Sequence, residues 1–316
     1  MLPPRPPPLA SEMGTPGRSA PAHDPLGLFW SFTSAVLWAT TFVFVRALTA
    51  DGQADAFTLS AVRFVIGALV LLVPALTVFR RRFLAVPPRD LLAMAGLSLL
   101  GMCGMSVLLF IGQSSTTATN GALIMQLSPL LMLLLTAALG ERVTARQALG
   151  IGIALGGSLL IGEVWRAHGH WRGDLLILAS AGAWALYSVL GRGVVARHGG
   201  FVTTTWAMLF GGILLFAVRL ALPLPWPAPE PAVWGMILYI GLFPTGVAFV
   251  AWYEAIHRLD FNLVNVMQYI TPACAILFAW WWLDERLSPF HWLGIAVMAA
   301  GILLVSLPGN AKPAAS

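Results

Sequence analysis

Charge is what this chain has least of. Only 10% of its 316 residues are Asp, Glu, Lys or Arg, against about 25% in an ordinary soluble domain. Hydrophobic residues make up 58%, and the mean hydropathy is +0.82. Runs of about 20 apolar residues cross a bilayer as helix. A soluble chain of this size cannot hide that much apolar surface. The composition therefore excludes a soluble globular protein and specifies a polytopic membrane protein.

Other absences narrow the function. Lysine is almost missing: seventeen of the 18 bases are Arg, spread through short loops rather than gathered on one face. The net charge of +5 thus reads as a topology signal, and no nucleic-acid partner is expected. The two cysteines, Cys103 and Cys274, fall in apolar segments of different halves. They read as small buried hydrophobes, not as a disulfide or metal ligands. The six His are scattered, and "HGH" (His168 to His170) offers two ligands without a third. No metal and no cofactor are expected. G-x-x-x-x-G-K-S/T does not occur, which excludes an ATP-driven pump on this chain. The first 25 residues are Pro-rich and lack an apolar h-region, so they read as a disordered cytoplasmic tail rather than a signal peptide.

What is present is a succession of apolar runs between charged or Pro/Gly breaks. Ten helices are predicted, at 28–48, 57–79, 90–112, 116–139, 145–162, 174–195, 202–221, 233–256, 261–283 and 289–307. With the N-terminus inside, twelve bases fall in cytoplasmic segments and five in outer ones. The positive-inside rule then puts both termini in the cytoplasm, with "FRRRF" (Phe79 to Phe83) as the main anchor. Frequent Arg, Ala, Leu and Gly point to a bacterium, hence to a bacterial inner membrane.

The chain repeats itself. "GERVTARQALGIGIALGGSLLIG" (Gly140 to Gly162) aligns with "DERLSPFHWLGIAVMAAGILLVS" (Asp284 to Ser306) at an offset of 144. From Glu141 to Gly162, eight of 22 positions are identical. "AVLWATTFVFVR" aligns with "AGAWALYSVLGR" at an offset of 146, matching Trp38 to Trp184 and Arg46 to Arg192. Asn120 falls opposite Asn262, and Pro129 opposite Pro272. Five helices per half is an odd number, so the second half enters the membrane from the other side. The expected fold is all-α: ten transmembrane helices as two inverted five-helix repeats around a central cavity. The expected layout is a tail at 1–27, a first repeat at 28–163, a second at 174–307, and a cytoplasmic tail at 308–316.

On these stretches, with "AVRFVIGAL", "TNGALIMQLSPLLMLLLTAALGERV" and "PACAILFAWWWLDERL", the chain resembles the drug/metabolite transporter superfamily, in its ten-helix EamA-like branch. The resemblance covers nearly everything outside the N-terminal tail. It implies a ten-helix basket with a central cavity, commonly exporting amino acids or other metabolites, and no enzymatic activity. One departure is "DERL" in the second half where the first has "GERV".

Ionisable groups at membrane depth are functional candidates by default. Arg63 is the clearest; its repeat equivalent is Ala207. It either meets an anionic group such as a substrate carboxylate, or packs against a neighbouring helix. Glu254 is either a coupling carboxylate or an interfacial acid paired with Arg258 at i, i+4. No carboxylate sits at the centre of a predicted helix, which favours facilitated diffusion or exchange over proton antiport. Neutral cavity candidates are Trp38, Thr41, Trp184 and Tyr187 in helices 1 and 6. Gln126 before Pro129, and Asn265, Gln268 and Tyr269 before Pro272, complete the set. A proline within a span frees backbone carbonyls that polar neighbours can satisfy, or the neighbours can line a cavity. The expected function is a secondary transporter of small metabolites such as amino acids or amphipathic compounds, an exporter or exchanger working by alternating access. The expected partners are a small-molecule substrate and the lipid bilayer. The rival is a polytopic membrane enzyme acting on a lipid-linked substrate. The repeated Glu-Arg pair reads as architecture: Thr144 with Gln147 forms a capping box, and Ser288 caps the last helix.

Overall fold

The computed structural model describes residues 24–50, 52–114, 124–161, 163, 171–227, 230–283 and 288–306. Residues 1–23 and 307–316, Asn120, the "HGH" loop and the Glu285–Arg286 corner lie outside these; residues 25–27, assigned to the tail from sequence, form the first turn of a helix instead.

Among the described residues all regular structure is helical. Helix α1 (Pro25–Ala50) leads to α2 (Ala56–Thr77) and a short α3 (Arg80–Leu84). Helix α4 (Pro88–Ser98) passes through a π-helical turn, Leu99–Gly104, into α5 (Met105–Ser114). Then come α6 (Ser128–Ala138) and α7 (Ala145–Ile161). The run Trp171–Ala221 is two helices meeting at Gly199 (φ 79°, ψ 163°), here α8 (171–198) and α9 (200–221). The sequence predicts a loop between 195 and 202; a single residue makes the turn instead. Its positive φ is open to glycine at little cost. Helix α10 (Pro231–Ile240) passes through a second π-helical turn, Gly241–Val247, into α11 (Ala248–Arg258). The chain closes with α12 (Phe261–Met267), α13 (Ile270–Leu283) and α14 (Pro289–Ser306).

Among the described residues, six helical segments are long and apolar enough to cross a bilayer: Phe57–Thr77, Pro88–Gly112, Trp171–Ala221, Pro231–Arg258, Phe261–Phe278 and Pro289–Ser306. Helices α6 and α7 are apolar but shorter. The chain is a multi-pass membrane protein.

Local chemistry sets the helix ends. Asp55 accepts from the Thr58 amide (2.8 Å) ahead of α2, and Asp260 accepts from Asn262 (3.0 Å) and Leu263 (3.3 Å) ahead of α12. Thr144 and Gln147 form the expected reciprocal box: the Thr144 amide donates to Gln147 Oε1 (2.9 Å) and the Gln147 amide to Thr144 Oγ1 (3.2 Å). Ser288 departs from expectation. Its hydroxyl lies 2.6 Å from the Glu163 carboxylate, a stronger charge-assisted acceptor. His291 Nδ1 accepts from the Ser288 amide instead (2.9 Å).

The two halves share features finer than sequence identity. The π-helical turns begin at Leu99 and Gly241, an offset of 142. The helices leading to Pro129 and Pro272 loosen at Gln126–Leu127 and Gln268–Tyr269, again offset by 142. Helices α7 and α14, which carry the duplicated phrase, pack through glycine. A Cβ on Gly157 would lie 2.6 Å from the Gly294 carbonyl, and one on Gly150 would lie 2.9 Å from that of Gly301. The low-numbered glycine of one helix meets the high-numbered glycine of the other, so the two run antiparallel. Small residues permit this approach.

Ion pairs gather at the end that carries Arg80, Arg81 and Arg82. Glu141 pairs with Arg192 of α8, with Nη1 at 3.0 Å, and not with its neighbour Arg142. Asp90 accepts from Arg197 (2.7 Å) and lies 2.6 Å from His198 Nε2. Arg258 reaches Asp24 (3.3 Å) and Glu254 (3.8 Å). Phe83 is buried and stacks on Trp206 (4.5 Å), while the three arginines of α3 are exposed. This is an interfacial helix.

Candidate functional site

Helices α1, α2, α5, α8 and α11, with the turns before α6 and α13, enclose a cavity of about 120 Å³. Two pairs of repeat-equivalent residues line it: Trp38 with Trp184, and Gln126 with Gln268. The indoles meet edge to face, centroids 5.2 Å apart at 89°, a favoured aromatic geometry. Phe249 completes this apolar end, 5.5 Å from Trp38 and 5.7 Å from Trp184. Trp38 Nε1 donates to the Pro244 carbonyl (3.0 Å). Pro244 lies within the second π-helical turn, where the regular ladder is broken and a carbonyl is available to an outside donor.

The glutamines are placed by proline. Pro129 has no N–H for the Met125 carbonyl, and the Ser128 hydroxyl donates there instead (2.8 Å). Amide bonds shorten to i, i−3 just before each proline: Leu127 to Ile124 (3.0 Å) and Gln268 to Asn265 (3.2 Å). Asn265 ties the two turns together, donating from Nδ2 to the Pro129 carbonyl (2.8 Å). Each distorted turn directs its glutamine into the cavity.

Arg63 also lines the cavity, with Val45 and Phe110. It retains 6% of its surface exposure. Its Nη2 donates to Ser106 Oγ (2.8 Å), and its guanidinium lies over the rings of Phe64 (4.7 Å) and Phe110 (5.0 Å). Nε has no acceptor among the described residues, and the same holds for the Thr41 hydroxyl and Gln268 Nε2. The described ion pairs to carboxylates all lie elsewhere. An arginine buried without an anion is costly, and this one lines the cavity.

Of the residues singled out from sequence, Arg63, Trp38, Thr41, Gln126, Trp184 and Gln268 line one cavity. Tyr187 stands behind it, stacked on Trp184 (5.3 Å) and on Tyr253 (5.1 Å). Asn265 and Tyr269 are fully buried behind the second turn. Glu254 lies apart: it accepts from the Phe201 amide (3.3 Å) at the start of α9 and faces Arg258. Sequence reading missed the apolar wall of Met105, Leu109, Phe110, Met125 and Phe249. Met105 and Leu109 are one turn apart on α5, as Thr41 and Val45 are on α1, but that spacing is equally common on lipid-facing surfaces.

Comparison with known proteins is consistent along the whole chain. The pattern of the EamA-like transporter family matches twice, at residues 25–162 and 171–307. The chain is 30% identical over 277 residues to a protein of Streptantibioticus cattleyicolor named as a probable terminal-alkyne amino-acid exporter, covering 86% of this chain and 91% of that one. It is 27% identical over 278 residues to an uncharacterized transporter of Archaeoglobus fulgidus, covering 86% and 94%. A crystal structure of 24% sequence identity superposes with a TM-score of 0.77 over 88% of this chain and 96% of its own, a likeness of fold.

Proposed function

The chain belongs to the EamA-like transporter family, and from that membership we propose that it is a secondary transporter carrying small metabolites through the Trp38–Trp184 cavity by alternating access. Its two family domains, 28–163 and 174–307, act as inverted five-helix repeats with ten crossings in all. Both termini then lie in the cytoplasm of a bacterial inner membrane, and the ion-paired end with Arg80 to Arg82 faces inward. Antiparallel packing of the equivalent helices α7 and α14 supports the inversion, because helices of one orientation would run parallel. The chain acts as a carrier, not an enzyme.

One observation carries the reading: equivalent residues of the two halves meet in the wall of one cavity. A site on the seam between two similar bodies is exposed to either side as they rock. Arg63, Gln126, Gln268 and Thr41 contact the polar part of the substrate, and Trp38 and Trp184 its apolar part. Tyr187, Asn265 and Tyr269 brace them. Glu254 holds the start of α9 rather than coupling an ion. The name of the Streptantibioticus relative supports export of an amino acid or a similar compound. Counterflow in proteoliposomes tests this: a labelled small metabolite exchanges in vesicles with protein and not in empty ones. Failure of amino acids, carboxylates and amines alike to exchange overturns it.

A further inference from the structure

We infer that the cavity selects its substrate by charge, and that its preferred ligand is a small net-anionic carboxylate with a short branched apolar tail. This rests on the transporter reading above and names the substrate class of the same site.

Charge decides the order of preference. Among the described residues, Arg63 is the one ionised side chain on the cavity wall. No Asp or Glu occurs at 56–89, 91–140, 175–229, 231–253 or 261–283, so the helices that build the wall carry no counter-charge near it. The guanidinium gives Nη2 to the neutral Ser106 hydroxyl, and its buried Nε has no acceptor among the described residues. A carboxylate in the cavity supplies the missing charge. An ammonium finds only neutral acceptors. With a unit charge about 8 Å from the guanidinium at an effective dielectric of about 20, each unit of ligand charge is worth on the order of thirtyfold in affinity. A carboxylate is attracted, a zwitterion loses part of that attraction to its own ammonium, and an amine is repelled.

Size and shape decide the tail. About 120 Å³ is somewhat less than the ~150 Å³ of a cavity that takes up benzene. The edge-to-face indoles, Phe249 and Met105 offer apolar wall suited to a branched chain of four or five carbons.

The test uses three compounds with one tail: 4-methylpentanoate, leucine and isopentylamine. Dissociation constants are measured on the purified full-length protein at neutral pH by ligand-induced thermal stabilisation. The expected order is carboxylate tightest, leucine weaker, amine weakest, with a spread on the order of a thousandfold between the first and last. Arg63→Gln compresses the three to within a few fold, and Arg63→Lys, which keeps the charge if the glutamine variant does not fold, preserves the order. Leucine or the amine binding tighter than the carboxylate overturns the inference, as does equal binding or no binding of all three. Counterflow of the same compounds separates the two claims. Leucine exchange with the order reversed leaves the transporter and removes the charge selection. The expected binding order without exchange of any of the three leaves the selection and removes the transporter.

Discussion

Two adjacent glycines of α7 should respond oppositely to one methyl group. A Cβ on Gly157 would lie 2.5 Å from the Met298 nitrogen, 2.6 Å from the Gly294 oxygen and 2.8 Å from the Met298 Cα. All three are backbone atoms, so no side chain can rotate away, and α7 and α14 must separate. Overpacking of this kind costs about 1–3 kcal/mol. The better helix propensity of Ala returns at most ~1 kcal/mol, so Gly157→Ala should lose about 1–2 kcal/mol. At Gly156 nothing lies within 4 Å of the added carbon, and Gly156→Ala should be neutral or gain up to ~1 kcal/mol. Equilibrium unfolding in mixed micelles measures the difference, which should approach ~2 kcal/mol in favour of the Gly156 variant. The contact is reciprocal, since a Cβ on Gly294 would meet the Gly157 oxygen at 2.7 Å. Once the helices have spread for one alanine the second costs less, so Gly157→Ala with Gly294→Ala should be less destabilising than the sum of the two. Equal stability of the Gly156 and Gly157 variants would falsify the close antiparallel packing.

Asn265→Leu removes the donor to the Pro129 carbonyl that ties the two turns together. A loss of about 0.5–1.5 kcal/mol in the same unfolding assay is expected. Trp38→Phe keeps an aromatic ring but not the bond to Pro244; stability should fall by about 1 kcal/mol, with a raised KM in counterflow and a smaller change in maximal rate. Glu141→Gln breaks a pair whose side chains are 49% and 23% exposed, so its cost should stay below ~1 kcal/mol and vanish at high salt.

The two repeats were legible because repetition is a signal that survives substitution. The offset of 144 between Gly150 and Gly294 paired two helices as equivalents without saying that they touch, and Gln before Pro in both halves located the distorted turns. The Thr144–Gln147 box depends on residues three apart, within the range of local reasoning. Partners brought together by the fold were not legible. Glu141 has a base beside it in sequence, yet it binds Arg192, which the turn after α6 brings into reach. The Ser288 hydroxyl serves Glu163, 125 residues away. The apolar half of the cavity was hidden for a different reason. In a membrane chain Met105 and Phe110 are hydrophobic whether they face lipid, another helix or a ligand, and composition does not separate the three. The π-helical turns leave no residue signature beyond glycine and one proline.

Those two turns carry a date. A π-helical turn is one extra residue accommodated in an α-helix, and each begins at the same place in its half, 142 residues apart. An insertion made after the chain was doubled would mark one copy and leave the other regular. The widened helix is therefore inherited from the single ancestral unit, older than the joining of the halves. Arg63, opposite Ala207, is where the two lineages within this one polypeptide have since parted.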